Sequence, residues 1–134
     1  MLSQTAEYAL RAVLYLAARG ETGAVGVEAM AGELGIPPSY LSKTCQVLVR
    51  HGVLESVRGR SGGFRLALAP ERLRLACVVD PFEDETERRH CLLGRATCSD
   101  QHACAAHASW KATSEQIARY FRTTTVADLQ GRGR

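Results

Sequence analysis

The sequence predicts a mainly α-helical fold with one small β-hairpin, and three patterns along the chain support that prediction. Near the amino terminus, apolar residues recur every three to four positions, which is the period of an amphipathic helix. Two shorter helical segments then flank a glycine. After them, two β-rich runs enclose a glycine-rich stretch, which is the pattern of a hairpin.

The first predicted helix covers residues 3 to 18. Ser3 is a suitable N-cap because its hydroxyl can accept a hydrogen bond from the first turn, and Gly20 ends the apolar pattern. The apolar face consists of Ala6, Leu10, Val13 and Ala17. These residues predict a helix that packs one face against a core.

The next segments predict a helix-turn-helix followed by a hairpin. A second helix runs from Val27 to Leu34 and is stopped by Gly35, and Pro37–Ser39 open a third helix. The β-rich runs are Val53–Val57 and Phe64–Leu68, joined by an Arg/Gly tip. Residues 1–79 are therefore predicted to form a winged helix-turn-helix domain.

The charge and side chains of this domain indicate duplex DNA as its partner. From Ser39 to Arg65 the chain carries five basic residues and one acidic residue, a local net charge of +4, whereas five acids fall between positions 80 and 87. The amino-terminal side chains of a helix reach base edges in the major groove, and an Arg/Gly tip can approach the backbone or minor groove. The predicted DNA contacts are Ser39, Tyr40, Ser42, Lys43, Arg58, Gly59 and Arg60.

Residues 80–107 contain a cluster of metal-ligand residue types: Cys91, Cys98, Cys104 and His107. Structural zinc sites usually pair ligands two to four residues apart, and this chain has no C-x2-C. Gaps of six and five residues suit a loop around a larger iron-sulfur cluster, which normally takes thiolate ligands. The segment is therefore predicted to bind such a cluster, with a structural zinc site and a metal-free thiol switch as alternatives.

The C-terminal part is predicted to be a dimerisation helix over residues 103–125 followed by a flexible, Gly/Arg-rich tail over 126–134. The apolar seam of the helix consists of Trp110, Ser114, Ile117, Phe121 and Thr124. Packing within one chain would satisfy this seam, but a symmetric dimer is favoured because helix-turn-helix proteins read two half-sites. Trp110, Ile117 and Phe121 are the predicted dimer contacts.

Other classes of protein are not supported by the sequence. No apolar run approaches the roughly 18 residues of a membrane span, and the amino terminus has no basic leader, so the cytoplasm is the predicted location. There is no Ser/His/Asp set, phosphate-binding glycine loop or C-x-x-C pair, so an enzyme is not predicted. Cys45 and Cys77 lie among apolar residues and are predicted to be small core residues.

Three stretches resemble the Rrf-two family of bacterial winged-helix transcription regulators, in particular its iron-sulfur-binding, IscR- and NsrR-like members. These stretches are Met1–Arg11, Pro38–Ser42 and the wing Val57–Leu66, and the wing followed by the three-cysteine loop is the most specific part. The resemblance extends from residue 1 to about residue 125. It implies a homodimer that binds a roughly palindromic operator, and the habit of the family favours repression.

The resemblance also implies an iron-sulfur cluster, 2Fe-2S or 4Fe-4S, held by the three cysteines of each subunit. His107 matches a histidine that completes the cluster in some members, whereas Glu7 of the partner subunit matches a carboxylate ligand used in others. The family's DNA contacts match Ser39, Lys43 and Arg58. Some members carry a glutamate where this chain has Ser42, so their operator preference is not carried over.

The sequence therefore predicts a DNA-binding transcription regulator whose operator affinity is controlled by a cluster sensing redox state, nitric oxide or iron supply. Loss or modification of the cluster would shift the two wings relative to each other. The first alternative is the same regulator with a structural zinc site or a thiol switch. The second, from another class, is an iron-sulfur carrier or redox protein.

Overall fold

The computed structural model describes residues 2–20, 23–83 and 105–132, and its elements confirm the predicted fold class. In chain order these are α1 (Gln4–Ala18), α2 (Val27–Leu34), α3 (Pro38–Arg50), β1 (Leu54–Val57), β2 (Gly63–Leu66), α4 (Leu75–Val79), α5 (His107–Thr123) and α6 (Val126–Arg132). Short 3-10 turns at Pro70–Arg72 and Asp80–Phe82 precede and follow α4. No helix within the described ranges is long and apolar enough to cross a membrane.

Helix α1 forms as predicted and lies at the centre of the core. The Ser3 hydroxyl caps it by accepting a hydrogen bond from the N–H of Ala6 at 3.1 Å. Its buried face consists of Ala6, Ala9, Ala12, Val13, Leu16 and Ala17. Because four of these six residues are alanines, neighbouring elements can approach α1 closely, and α2, α3, α4, α6 and β2 all pack against it.

Helices α2 and α3 are joined by the tight turn of the helix-turn-helix. Gly35 ends α2 with φ +68° and ψ +31°, in the left-handed region that favours glycine. The N–H of Ile36 then donates to the carbonyl of Ala31 at 3.1 Å, and the Ile36 side chain is buried. Pro38 begins α3, at a position where the missing N–H breaks no helical hydrogen bond. The turn therefore fixes the direction in which α3 leaves α2.

Strands β1 and β2 form the antiparallel wing, whose stem is bound to the linker that precedes α2. Phe64 of β2 and Val25 of the linker exchange two main-chain hydrogen bonds of 2.9 Å each, and both side chains are buried. The wing is therefore held against the helix-turn-helix by main-chain bonds along the outer edge of β2.

The predicted flexible tail over residues 126–134 is wrong for the residues that the structure describes. Val126–Arg132 form α6, and the Val126 side chain is fully buried. Thr125 and Asp128 form a capping box, in which the Thr125 N–H donates to Asp128 Oδ2 at 2.9 Å and the Asp128 N–H donates to Thr125 Oγ1 at 3.1 Å. The predicted tail rests on the Gly/Arg content of this end, whereas the T-x-x-D sequence ahead of it indicates the start of a helix.

The carboxyl-terminal residues also join the core through the main chain. The N–H of Leu75 donates to the carbonyl of Thr124 at 2.9 Å, and the N–H of Val126 donates to the carbonyl of Leu73 at 2.8 Å. Leu73 and Leu75 are buried between these bonds. The residues before and after the cysteine segment are thus both anchored to the same hydrophobic core.

Cys45 and Cys77 occupy different environments, although the sequence predicts both in the core. Cys45 is buried on the inner face of α3, which confirms its prediction. Cys77 is exposed, so its prediction is wrong. Leu75 and Val78 lie on the buried side of α4, and the intervening Cys77 is turned away because each helical residue rotates the chain by about 100°.

Replacing Gly63 by alanine is expected to destabilise the domain. Gly63 has φ +144°, and a Cβ there would lie 2.1 Å from the carbonyl oxygen of Val25, so the wing would have to move off the linker. We expect the free energy of unfolding in urea to fall by roughly 3 kcal/mol. The matched control is Gly32→Ala inside α2, where a Cβ meets nothing within 4 Å and helix propensity predicts a gain of up to about 1 kcal/mol. Equal stability of the two variants would contradict the close contact.

Alkylation is expected to distinguish the two cysteines. Burial raises the pKa of the Cys45 thiol from 9.0 to about 12. In the folded protein iodoacetamide should label Cys77 and leave Cys45 unlabelled until urea unfolds the chain, as measured by peptide mass spectrometry. Labelling of Cys45 in the native protein at the rate of Cys77 would show that α3 is not packed as described.

The raised pKa also gives stability a pH dependence. From pH 9.0 to about 12 the thiol ionises in the unfolded chain and stays protonated in the folded chain. The Cys45 contribution to stability is therefore complete below pH 9.0 and is lost as the pH rises through this window.

Candidate nucleic-acid interface and metal site

The outer face of α3 carries the helix residues predicted to contact DNA. Ser39, Tyr40 and Lys43 are exposed and Ser42 is half-buried. The opposite face is buried and consists of Leu41, Thr44, Cys45 and Leu48. The amino-terminal end of α3 therefore presents hydroxyl and ammonium groups to solvent, where they can reach base edges or phosphates.

Tyr40 is held by α1 and does not extend freely into solvent. Its hydroxyl lies 3.2 Å from Thr5 Oγ1, and its ring meets the Tyr8 ring edge to face with centroids 5.6 Å apart. The Arg11 guanidinium lies 5.9 Å from the centroid of the Tyr8 ring and donates to the carbonyl of Leu34 at the end of α2. Tyr40 thus connects the amino-terminal ends of α1 and α3.

Two further residues on the outer face of α3 lie outside the predicted set. Gln46 and Arg50 are exposed, three and seven residues after Lys43. Their spacing from Lys43 is the signal available in the sequence, because residues three, four and seven apart share a helix face. The prediction considers only the beginning of the helix, where base contacts are concentrated.

The wing tip is exposed and basic. Arg58, Gly59 and Arg60 are all exposed, and neither arginine forms an ion pair within the described ranges. The tip closes through a hydrogen bond from the N–H of Gly62 to the carbonyl of Gly59 at 3.0 Å. A Cβ on Gly62 would lie 2.2 Å from the carbonyl oxygen of Val57, so glycine is required for this closure. Both guanidinium groups are therefore available to an external anion.

Arg65 is the basic wing residue with an internal partner. It lies opposite Glu55 in the strand register, and its Nε donates to Glu55 Oε2 at 2.9 Å. The charges of this pair cancel, so the local excess of +4 is carried by the remaining bases. These are Lys43, Arg50, Arg58 and Arg60.

A cleft of about 330 Å³ lies beside the amino-terminal end of α3. It is lined by Thr5, Ser39, Tyr40, Lys43, Thr44, Val47 and Phe82. Phe82 belongs to the 3-10 turn just before the cysteine segment. No periodicity in the sequence indicates this contact, because Phe82 and the cleft residues of α3 are separated by the whole wing.

The predicted metal ligands Cys91, Cys98 and Cys104 lie outside the described residues. His107 is the first residue of α5 and is half-buried, and Glu7 is exposed on α1. Within the described part of the chain, no group of three or more His, Cys, Asp or Glu residues could hold a metal ion. The donor set itself, three thiols with an imidazole or a carboxylate, fits the ligand chemistry of an iron-sulfur cluster.

Helix α5 has an apolar side that its own chain covers only in part. No residue of α5 is buried, although the helix packs against α4. Trp110, Ile117 and Phe121, the predicted dimer contacts, are each half-buried, and Phe121 packs on the edge of the core. The seam predicted from the sequence therefore exists as a partly exposed helix face.

Comparison with known families supports a transcription regulator. The family model described as "Iron-dependent Transcriptional regulator" (Rrf2) matches residues 2–132. The match includes the helix-turn-helix, the wing, the cysteine segment and α5.

Individual relatives agree with this match. The chain is 35% identical over 131 residues to a protein of Aquifex aeolicus whose name assigns it to the HTH-type transcriptional regulators, covering 96% of this chain and 90% of that protein. It is 28% identical over 128 residues to the HTH-type transcriptional regulator IscR of Erwinia tasmaniensis, covering 96% of this chain and 77% of that protein.

The solved structure of CymR (YrzC), the global cysteine regulator of B. subtilis, has the same fold. It matches with a TM-score of 0.84 at 19% identity, covering 100% of this chain and 98% of that chain. At this identity the likeness concerns the fold alone. The family match over residues 2–132 and the 35% identity to the Aquifex aeolicus protein show that this chain belongs to the Rrf2 family of helix-turn-helix transcription regulators, which are not enzymes.

Proposed function

We propose that this protein is a homodimeric repressor whose affinity for its operator is controlled by an iron-sulfur cluster bound to Cys91, Cys98 and Cys104. The cluster would respond to redox state, nitric oxide or iron supply. The observation that carries the proposal is the exposed amino-terminal end of α3 together with an exposed wing tip whose arginines form no ion pair within the described residues. The donor chemistry of the cysteine segment, within a family model described as iron-dependent, supports the control by a cluster.

In the proposed complex, α3 enters the major groove and the wing lies along the backbone or minor groove. Ser39, Ser42 and Lys43 contact bases or phosphates, and Arg58 and Arg60 neutralise phosphates. Tyr40, which contacts Thr5 and Tyr8, orients the end of the helix. Gly59 contributes by leaving room for the backbone to approach DNA.

The proposed dimer forms through the partly covered face of α5. Trp110 and Ile117 lie on that face, and a second copy of the chain would complete their burial. Two copies related by a twofold axis would present two α3 helices to successive major grooves, which matches a palindromic operator. The dimer is thus the unit expected to bind DNA.

The cysteine segment is proposed to hold one cluster per subunit, of the 2Fe-2S or 4Fe-4S type. When bound, the cluster supplies a centre that reacts with oxidants and nitric oxide. His107 as fourth ligand would link the segment directly to the start of α5 within one subunit. Glu7 of the partner subunit, as the rival ligand, would link the segment to α1 across the dimer. Glu7 would connect the cluster to α1, which packs against α3, whereas His107 would connect it to α5, which packs against α4.

The alternative functions differ in whether they retain the DNA-binding surface or the role of the cysteines. A structural zinc site or a metal-free thiol switch would leave the DNA-binding surface as described and change only the signal. An iron-sulfur carrier or redox protein would need the cysteines but not the basic wing, and the family match disfavours it.

Removing wing-tip charge is expected to weaken DNA binding without sequence preference. Each of Arg58→Ala and Arg60→Ala should lower affinity roughly tenfold at moderate salt and reduce the slope of log affinity against log salt by about 1. The matched control is Arg65→Ala, which removes the same charge from a residue already paired with Glu55. Fluorescence anisotropy with a duplex selected by the wild-type protein from a random library provides the measurement. Equal losses in all three variants would refute a specific role for the tip.

The presence of an iron-sulfur cluster can be tested on protein purified without oxygen. We expect broad visible absorbance with stoichiometric iron and acid-labile sulfide, lost in Cys98→Ser together with a change in operator affinity of about tenfold. Cys77→Ser, at an exposed cysteine outside the segment, is the matched control and should keep both properties. Colourless protein with stoichiometric zinc would favour the structural zinc site. Metal-free protein that cannot be reconstituted with iron and sulfide would favour the thiol switch.

A further inference from the structure

The residues just before the cysteine segment are hydrogen-bonded to the first turn of α1. The N–H of Ser3 donates to Glu83 Oε1 at 2.8 Å, and the Ser3 hydroxyl donates to the carbonyl of Phe82 at 3.4 Å. The same hydroxyl accepts from the N–H of Ala6 as the N-cap of α1. In a capping box, a glutamate three residues after the N-cap accepts a hydrogen bond from the N-cap N–H. In this chain that position is Ala6, which has no acceptor side chain, and Glu83 accepts the bond instead.

This contact is favourable on electrostatic grounds. The Glu83 carboxylate lies at the amino-terminal end of α1, where the helix macrodipole favours negative charge, and a charged acceptor makes a stronger hydrogen bond than a neutral one. Ser3, Phe82 and Glu83 are each half-buried, so solvent competes with the contact only in part.

The same first turn of α1 also contacts α3, which is the proposed recognition helix. Thr5, two residues after Ser3, lies with its hydroxyl 3.2 Å from that of Tyr40. Phe82 lines one cleft together with Tyr40 and Lys43 of α3. A displacement of residues 82 and 83 would therefore reach the amino-terminal end of α3 both through α1 and across the cleft.

We propose that Ser3, Phe82 and Glu83, together called the Glu83 clip, transmit the state of the cysteine segment to the recognition helix. This inference rests on the proposed function, since it requires that the segment controls DNA affinity. With the clip closed, the start of α1 holds Tyr40 and thereby the DNA-reading end of α3 in position. When the segment changes state, Glu83 is displaced and α3 loses this support. Glu83 is a positioning residue and does not itself touch DNA.

The test is a double-mutant cycle between the cysteine segment and the clip. Glu83→Ala, Glu83→Gln and Glu71→Ala are each made with Cys98 intact and with Cys98→Ser. Dissociation constants are measured for the duplex selected by the wild-type protein. Glu71→Ala is the matched control, because it removes the same charge from an exposed residue. Thermal melting confirms that each variant is folded.

We expect Cys98→Ser to change the dissociation constant about tenfold in the wild-type, Glu71→Ala and Glu83→Gln backgrounds. Glutamine behaves like glutamate here because its amide oxygen still accepts from the Ser3 N–H. In Glu83→Ala the Cys98→Ser effect should shrink to less than about twofold, since the two changes act along one route.

The outcomes separate this inference from the proposed function. A full Cys98→Ser effect in folded Glu83→Ala would overturn the clip and leave cluster control intact. No Cys98→Ser effect in the wild-type background would overturn the control itself, and the clip with it. Should Glu83→Ala fail to fold, Thr5→Val decides, because it removes the hydroxyl that faces Tyr40 while keeping the side-chain shape. An undiminished Cys98→Ser effect there would overturn the route through α1 on which the clip depends.

Discussion

The close approach of five elements to the alanine-rich face of α1 is the constraint on which the rest of this structure depends. Ala9 and Ala12 offer only methyl groups, so the recognition helix, the wing strand and the carboxyl-terminal helix can all lie near the same axis. A larger side chain at either position would displace several elements together, because interiors are packed too densely to absorb added volume. The proposed DNA-contacting surface is therefore positioned by one helix that itself contributes no predicted DNA contact.

The local features of the fold were predictable because they depend on neighbouring residues. Helix α2 begins and ends at the predicted residues, since Gly35 supplies the left-handed conformation that ends it. The start of α3 follows from the proline at its first position. The T-x-x-D capping box at Thr125 is an equally local signal, and composition alone obscures it. The prediction of a flexible tail is wrong because it rests on the Gly/Arg content of this end. The order of the residues allows Thr125 and Asp128 to form the hydrogen bonds that begin a helix.

The features that the sequence could not reveal depend on contacts between distant residues. The pairing of Val25 with Phe64 and the bonds from Ser3 to residues 82 and 83 have no periodic signature. The exposure of Cys77 depends on which side of a short helix faces the core, and the five residues of α4 are too few to define an apolar stripe. For the candidate site, residue types and their order were enough to propose DNA contacts at the start of α3 and at the basic tip. The packing of Tyr40 on α1 and the neutralisation of Arg65 by Glu55 required the tertiary structure.

The two main-chain hydrogen bonds between the wing and the linker before α2 also bear on how sequence preference can arise. Because β2 is hydrogen-bonded on one edge to β1 and on the other to Val25, the stem of the wing is held against the linker before α2 and cannot move freely. In the proposed complex, the restricted movement of the wing limits how far the protein can adapt to grooves of different width. The DNA would then have to adapt, and the energy of such a deformation depends on base steps that no side chain touches. Part of the selectivity would then depend on the stiffness of the operator, because of main-chain bonds in a hairpin stem that contains no predicted base contact.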